Sequence, residues 1–141
     1  MNAQRILIQR IEDREAKVAI IGLGYVGLPL AVEFASAGLE TVGIDLNEEK
    51  VTQVNAGESY IADVPSIAVR DLVETGKLRA TAEASALAKV DCICISVPTP
   101  LSKSKDPDIS YIVAACDMIV QYFRPGVLIV LESTTYPGTT E

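Results

Sequence analysis

Two kinds of apolar pattern alternate along the chain. Val18-Ala-Ile-Ile21, Thr41-Val-Gly-Ile44, Cys92-Ile-Cys-Ile95 and Val127-Leu-Ile-Val-Leu131 are short, continuously apolar runs rich in β-branched residues. Strands of that composition are buried on both faces, as in a parallel sheet. Between them lie segments with helical spacing. Residues 26–37 place Leu30, Phe34 and Ala37 on one stripe, residues 48–56 carry Val51 and Val54, and residues 65–75 carry Ile67, Val69 and Leu72. A last helix over 109–123 carries Ile112, Ala115, Ile119 and Phe123. Alternation of strand and helix predicts an α/β fold with right-handed crossovers.

The punctuation agrees. Gly38 and Gly76 stand where helices should end, Asp108 is placed to cap the helix from Ile109, and Pro125-Gly126 turns the chain into the last strand. Residues 4–14 form a short amphipathic pattern through Ile6, Leu7, Ile8 and Ile11, read as a helix outside the sheet. The chain stops after Pro137-Gly138-Thr139-Thr140-Glu141, which reads as a loop leading into a further helix. The expectation is therefore a helical extension over 1–16, then a single α/β domain over 17–141 that is the first part of a longer protein.

Composition narrows the chemistry. The 141 residues hold 12 basic and 19 acidic side chains, a net charge of −7, which argues against a nucleic-acid or anionic-membrane surface. There is no His, so imidazole bases and His-ligated metals are excluded, and no metal site is expected. The longest uncharged run, residues 18–32, is broken by Gly22, Gly24, Gly27 and Pro29 and is too short to span a bilayer. Acidic and basic residues mix over the first fifteen positions, unlike a secretory signal. These features predict a soluble, cytoplasmic chain. Cys92, Cys94 and Cys116 form neither a metal framework nor an even disulfide set, and Cys92 and Cys94 read as small core residues on one strand face.

The strongest local signal is Gly22-Leu-Gly24-Tyr-Val-Gly27, directly after an apolar run and opening a helical segment. In such a turn the first Gly permits the tight bend, the second lets a pyrophosphate approach the backbone, and the third lets helix and strand pack closely. The N–H groups of the helix start, at its positive dipole end, then hold the phosphates. The second run ends at Asp45, 18 residues past Gly27, close to the spacing of about 20 at which an acid meets the adenosine ribose of a dinucleotide. A carboxylate there repels a 2′-phosphate, and residues 46–49 offer no Arg to reverse that, so NAD is favoured over NADP. The pattern predicts a doubly wound parallel sheet of the Rossmann type.

Three further features sit where ligands bind in such sheets, beyond the carboxyl ends of the strands. Lys50 is placed either over the adenosine side or as a solvated surface charge. Ser96-Val97-Pro98-Thr99-Pro100 is a stiff turn that fixes one hydroxyl, or simply a rigid strand exit. Ser133 and Thr134 either reach cofactor and water or cap a helix.

The segments 21–30, 42–45, 97–100 and 133–134, in that order, resemble the UDP-glucose/GDP-mannose dehydrogenase family. The resemblance runs from about Lys17 to Glu141. Within it, residues 57–61, 107–111 and 131–138 are most similar to UDP-N-acetylglucosamine 6-dehydrogenases, although Asp63 stands where many of those relatives have His. Such enzymes oxidise a sugar C6 alcohol to a carboxylate in two hydride transfers to NAD, through a cysteine thioester. The resemblance implies backbone contacts from Tyr25 and Val26 to the pyrophosphate, Asp45 and Lys50 at the adenosine ribose, and Val97, Pro98, Thr99 and Ser133 at the cofactor. It implies that Thr134 lines the nicotinamide end and orients water. It also implies a nucleotide-sugar partner and a homo-oligomer, while the catalytic Cys matches none of the three cysteines here and lies beyond Glu141. On that reading the chain alone binds NAD and catalyses nothing. Family members acting on UDP-glucose, UDP-N-acetylmannosamine or GDP-mannose are alternatives. So are a stand-alone NAD- or NADH-sensing module and, more remotely, an S-adenosylmethionine-dependent methyltransferase.

Overall fold

The computed structural model describes residues 3–98, 109–122 and 125–132. After helix α1 (Ala3–Glu12) the elements run β1 (Lys17–Ile21), α2 (Gly27–Ser36), β2 (Glu40–Ile44), α3 (Glu48–Asn55), α4 (Ser66–Glu74), β3 (Leu78–Thr81), a 3-10 turn (Ala84–Lys89), β4 (Cys92–Ile95), α5 (Ser110–Tyr122) and β5 (Leu128–Leu131). The five strands form one sheet in the order β3-β2-β1-β4-β5, all neighbours parallel. Strand order reverses between β1 and β4, which places the switch point at the carboxyl end of β1.

Strand alternation divides the core in two. Val18, Ile20, Cys92 and Cys94 face the layer of α2, α3 and α4, where Leu28, Ala31, Val54 and Val69 are buried. Ala19, Ile21, Ile93 and Ile95 face the layer of α5 and the 3-10 turn, meeting Ala115, Ile119 and Leu87. Cys92 and Cys94 are thus buried core thiols, as their alternation implies, while Cys116 on α5 is exposed.

The predicted strands are present, and β3 is an addition. Its four residues alternate buried and outward, with Arg79 exposed, so no continuous apolar run marks it; β5, the other edge, is such a run, yet Leu128, Ile129 and Leu131 are exposed rather than buried on both faces, because no further element among the described residues covers that edge. The buried stripe of α2 is Leu28, Ala31 and Ala35, not Leu30, Phe34 and Ala37. Small residues are needed where this helix closes on the sheet, and the bulkier Leu30 and Phe34 pack partly buried at its flank. Ile67 of α4 is exposed rather than inward. Asp108 and Phe123 lie outside the described residues. Gly38 and Gly76 do end helices, each with a positive φ that L-residues avoid.

Helix α1 is tied to the amino end of the sheet by one side chain. Arg10 donates to Asp91 Oδ2 at 3.1 Å and to the Glu15 carbonyl at 3.0 Å, while the same Asp91 oxygen accepts the Lys17 N–H at 2.9 Å. Ile6, Ile8 and Ile11 remain exposed along the helix. No helix among the described residues is long and apolar enough to cross a membrane.

One packing contact links the fold to its upper rim. Leu23, fully buried, lies across Gly43 of β2, so that a Cβ at Gly43 would stand 2.5 Å from Leu23 Cδ2 and 3.0 Å from its Cγ. Gly43→Ala should cost about 1–3 kcal/mol by overpacking. Urea unfolding measures this, and a variant as stable as the parent would contradict the packing described.

Candidate cofactor site

The turn between β1 and α2 is shaped by its outer glycines. Gly22 has φ +97°, and a Cβ there would lie 2.7 Å from the Ser96 carbonyl oxygen. Its N–H extends the sheet to the Ile44 carbonyl at 2.8 Å. A Cβ at Gly27 would overlap the carbonyl oxygen of Gly22. Gly24 differs from both. Among the described residues, no heavy atom beyond its chain neighbours lies within 4 Å of where a Cβ would stand, and its φ lies outside the left-handed region. Neither packing among the described residues nor conformation explains that glycine, which leaves open space at the turn.

The start of α2 is uncapped. Val26 at the N-cap makes no side-chain hydrogen bond, and no acid stands in the first turn. Helix α3 offers the contrast: Asn47 accepts from the Glu49 and Lys50 N–H groups, and Glu48 and Glu49 occupy its first turn. The Leu28 N–H donates to the Gly24 carbonyl at 3.1 Å and Pro29 carries no N–H, so among the described residues the first-turn donor left to an anion is the Gly27 N–H. Tyr25 beside this turn is 86% exposed.

Asp45 bridges two segments. Its Oδ2 accepts the Leu23 N–H and its Oδ1 the Asn47 N–H, both at 2.9 Å, so the carboxylate at the end of β2 is fixed before any ligand arrives. On the other side of Leu23, the Tyr60 hydroxyl donates to the Leu23 carbonyl. The Lys50 ammonium sits over the Tyr60 ring, 5.9 Å from its centre. Burial, and secondly the Asp45 charge, push the Tyr60 hydroxyl well above its ordinary value of 10.0, so it stays a neutral donor.

A crevice of about 340 Å³ opens where these parts meet. Of the sequence-selected residues, Gly22, Asp45, Lys50, Val97 and Pro98 line it. Gly24, Tyr25, Val26 and Gly27 belong to the turn and helix start that continue from Gly22. Thr99, Ser133 and Thr134 lie outside the described residues. Lys50 thus faces the crevice, not bulk solvent alone. The far wall comes from α5, through Tyr111, Ala114 and Met118. Sequence reasoning took α5 as a core helix through Ile112, Ala115 and Ile119 and missed the adjacent stripe, one residue round, that meets the crevice. Tyr60 was missed as well; its only signal was membership of the segment 57–61.

Two nearby features stay outside the crevice chemistry. The Ser96 hydroxyl is buried without a partner among the described residues, close to Gly27. The hydrogen bond to Cys92, and then burial, push the Cys94 thiol far up, which leaves it protonated and inert in the core. Among the described residues no group of three His, Cys, Asp or Glu could hold a metal ion.

Comparison with known proteins gives this geometry a context. Residues 16–141 match the model of the UDP-glucose/GDP-mannose dehydrogenase family, NAD binding domain. A UDP-N-acetyl-D-mannosamine dehydrogenase of Pyrococcus horikoshii is 39% identical over 127 residues, covering 89% of this chain and 30% of that protein. An NDP-N-acetyl-D-galactosaminuronic acid dehydrogenase of Ralstonia nicotianae is 42% identical over 125 residues, covering 88% and 29%. Among solved structures, the UDP-D-ManNAc dehydrogenase of Pyrococcus horikoshii superposes with TM-score 0.81 at 36% identity, over 88% of this chain and 30% of that one. A ternary complex of GDP-mannose dehydrogenase from Pseudomonas aeruginosa gives 0.80 at 32%, over 87% and 29%. The chain thus spans about 30% of the length of the curated relatives it matches.

The glycines separate stability from binding. Gly24→Ala should leave unfolding free energy within about 0.5 kcal/mol of the parent, whereas Gly27→Ala should cost about 3 kcal/mol or more. Thermal unfolding of the two variants checks this, and equal losses would contradict the open space at Gly24.

Proposed function

The chain belongs to the UDP-glucose/GDP-mannose dehydrogenase family as its NAD-binding domain, and from that premise we propose that it serves a longer enzyme that oxidises the C6 alcohol of a UDP-sugar to a carboxylate in two NAD-dependent steps. The observation that supports the cofactor assignment is a prefixed Asp45 carboxylate that lines the crevice together with Gly22, the residue from which the turn runs on through the open space at Gly24 to the uncapped start of α2. These residues fit a dinucleotide: donors for a pyrophosphate, room for it to approach, and an acid for a ribose diol.

In this reading residues 1–16 are a helical extension and 17–141 the cofactor domain. The backbone of Gly22, Gly24, Tyr25, Val26 and Gly27 holds the pyrophosphate. Asp45 accepts the adenosine ribose hydroxyls and rejects a 2′-phosphate by charge, with Lys50 beside it. Val97, Pro98, Thr99, Ser133 and Thr134 form the nicotinamide side, where Thr134 orients water for hydrolysis. NAD, when bound, supplies the hydride acceptor. The nucleophile and the sugar-reading residues belong to the rest of the protein, so this chain alone is inactive; the whole enzyme is a cytoplasmic homo-oligomer.

For the sugar, segments 57–61, 107–111 and 131–138 favour UDP-N-acetylglucosamine. The relatives, a UDP-N-acetyl-D-mannosamine dehydrogenase and an NDP-N-acetyl-D-galactosaminuronic acid dehydrogenase, instead favour a 2-acetamido sugar of mannosamine or galactosaminuronic type. The shared chemistry is a 2-acetamido sugar linked to a nucleoside diphosphate.

Calorimetry of this chain should show NAD+ binding at least about tenfold tighter than NADP+, a gap of about 1.4 kcal/mol. Asp45→Asn, which removes the charge and one of the two backbone acceptors, should narrow that gap. In the whole enzyme, UDP-N-acetylglucosamine or UDP-N-acetylmannosamine should yield two NADH per sugar. Preference for NADP+ would overturn the Asp45 role, and one NADH per sugar the four-electron reaction.

A further inference from the structure

We infer that Tyr60 is a positioning residue for NAD, holding the glycine turn with its hydroxyl and Lys50 with its ring. The inference rests on the NAD assignment and extends it to the loop between α3 and α4, whose role the sequence leaves open. That loop is itself rigid. Ser59 Oγ donates to the Ile61 carbonyl, the Ser59 N–H donates to Ser66 Oγ, and Ile61 and Val64 are anchored in the core. Tyr60 therefore projects from a fixed base, half-buried.

Its hydroxyl acts on one peptide group. The Leu23 carbonyl that accepts from Tyr60 and the Gly24 N–H belong to the same trans peptide, so the two bonds point in opposite directions. Fixing the carbonyl toward Tyr60 aims the Gly24 N–H away from the loop. Among the described residues this N–H has no hydrogen-bond partner, and Gly24 borders open space. A hydrogen bond to the carbonyl also polarises the peptide and makes its N–H a better donor to an anion. The preceding peptide is set independently, since Asp45 takes the Leu23 N–H. Leu23 is thus clamped from both sides, by Asp45 and Tyr60, while its side chain is locked on Gly43.

The ring does a second job. Lys50 lies on α3, over the Tyr60 face, and lines the crevice. The ring restricts where the ammonium can go, so one side chain keeps the turn and the lysine in register. The raised titration of Tyr60 means that this donor is present throughout the physiological range.

The test is calorimetry of the 141-residue chain with NAD+, using Tyr60→Phe, Tyr60→Leu and Lys50→Met, with thermal unfolding in the absence of nucleotide as the structural control. Tyr60→Phe keeps the ring and should cost the free chain only the one net hydrogen bond to Leu23 while leaving it folded, and in addition weaken NAD+ binding about three- to tenfold, because the Leu23–Gly24 peptide is no longer held in its binding orientation. Lys50→Met should weaken binding in the parent and in Tyr60→Phe to the same extent, but by less in Tyr60→Leu, where the ring is gone. That pattern of coupling is not produced by a merely structural role. Tyr60→Phe binding NAD+ within twofold of the parent, or Lys50→Met having the same effect in all three backgrounds, would overturn the inference while leaving the NAD assignment intact. A parent chain that binds no NAD+ would overturn the NAD assignment and the inference with it.

Discussion

The contact between Gly22 and Gly27 is the constraint from which the rest of the site follows. The Gly22 carbonyl occupies the volume that a side chain at residue 27 would need. Only that approach lets the chain leave β1, turn, and begin α2 directly above the sheet. It in turn aims the first, uncapped turn of α2 across the carboxyl ends of β1 and β4, where the strand order reverses. A bulkier residue at either position would move the helix, and with it the orphan donor of its first turn.

Around that contact the protein fixes the turn rather than leaving it to be ordered by a ligand. Leu23 is the point of attachment: its side chain is seated on Gly43, its N–H is held by Asp45, and its carbonyl is held by Tyr60. Three separate elements, β2, its terminal acid and the α3–α4 loop, thus converge on a residue that a glycine motif treats as a spacer. Prefixed donors lower the ordering cost that binding would otherwise carry. The same economy of atoms appears at Asp45, whose two oxygens each accept one backbone N–H and keep further acceptor capacity for hydroxyl donors.

Most of the sheet was legible in the sequence because its central strands are buried on both faces and therefore written as unbroken apolar runs. β3 was not, since its alternation with an outward Arg79 breaks any such run, whereas β5 at the other edge is written as one although it is largely exposed. The glycine turn and Asp45 were legible because each needs a particular residue type at a particular spacing. Tyr60 and the α5 wall were not, because their roles arise from contacts across the fold: Tyr60 meets Leu23 thirty-seven residues away. Helical spacing alone also could not say which stripe of α5 faces the core and which the crevice, since Ala115 serves both. On α2 the spacing picks Leu30, Phe34 and Ala37, whereas the stripe that meets the sheet is Leu28, Ala31 and Ala35.

On the proposed function, NAD lies on a preformed cradle made by the glycine turn and the end of β2. Its most direct test is a titration of the isotopically labelled chain with NAD+, followed amide by amide by NMR. The predicted result is that the shifted amides concentrate at 22–28 and 45–50, with the remaining sheet amides unmoved. Perturbation centred on any other surface, or widespread change across the sheet that signals ordering on binding, would contradict it.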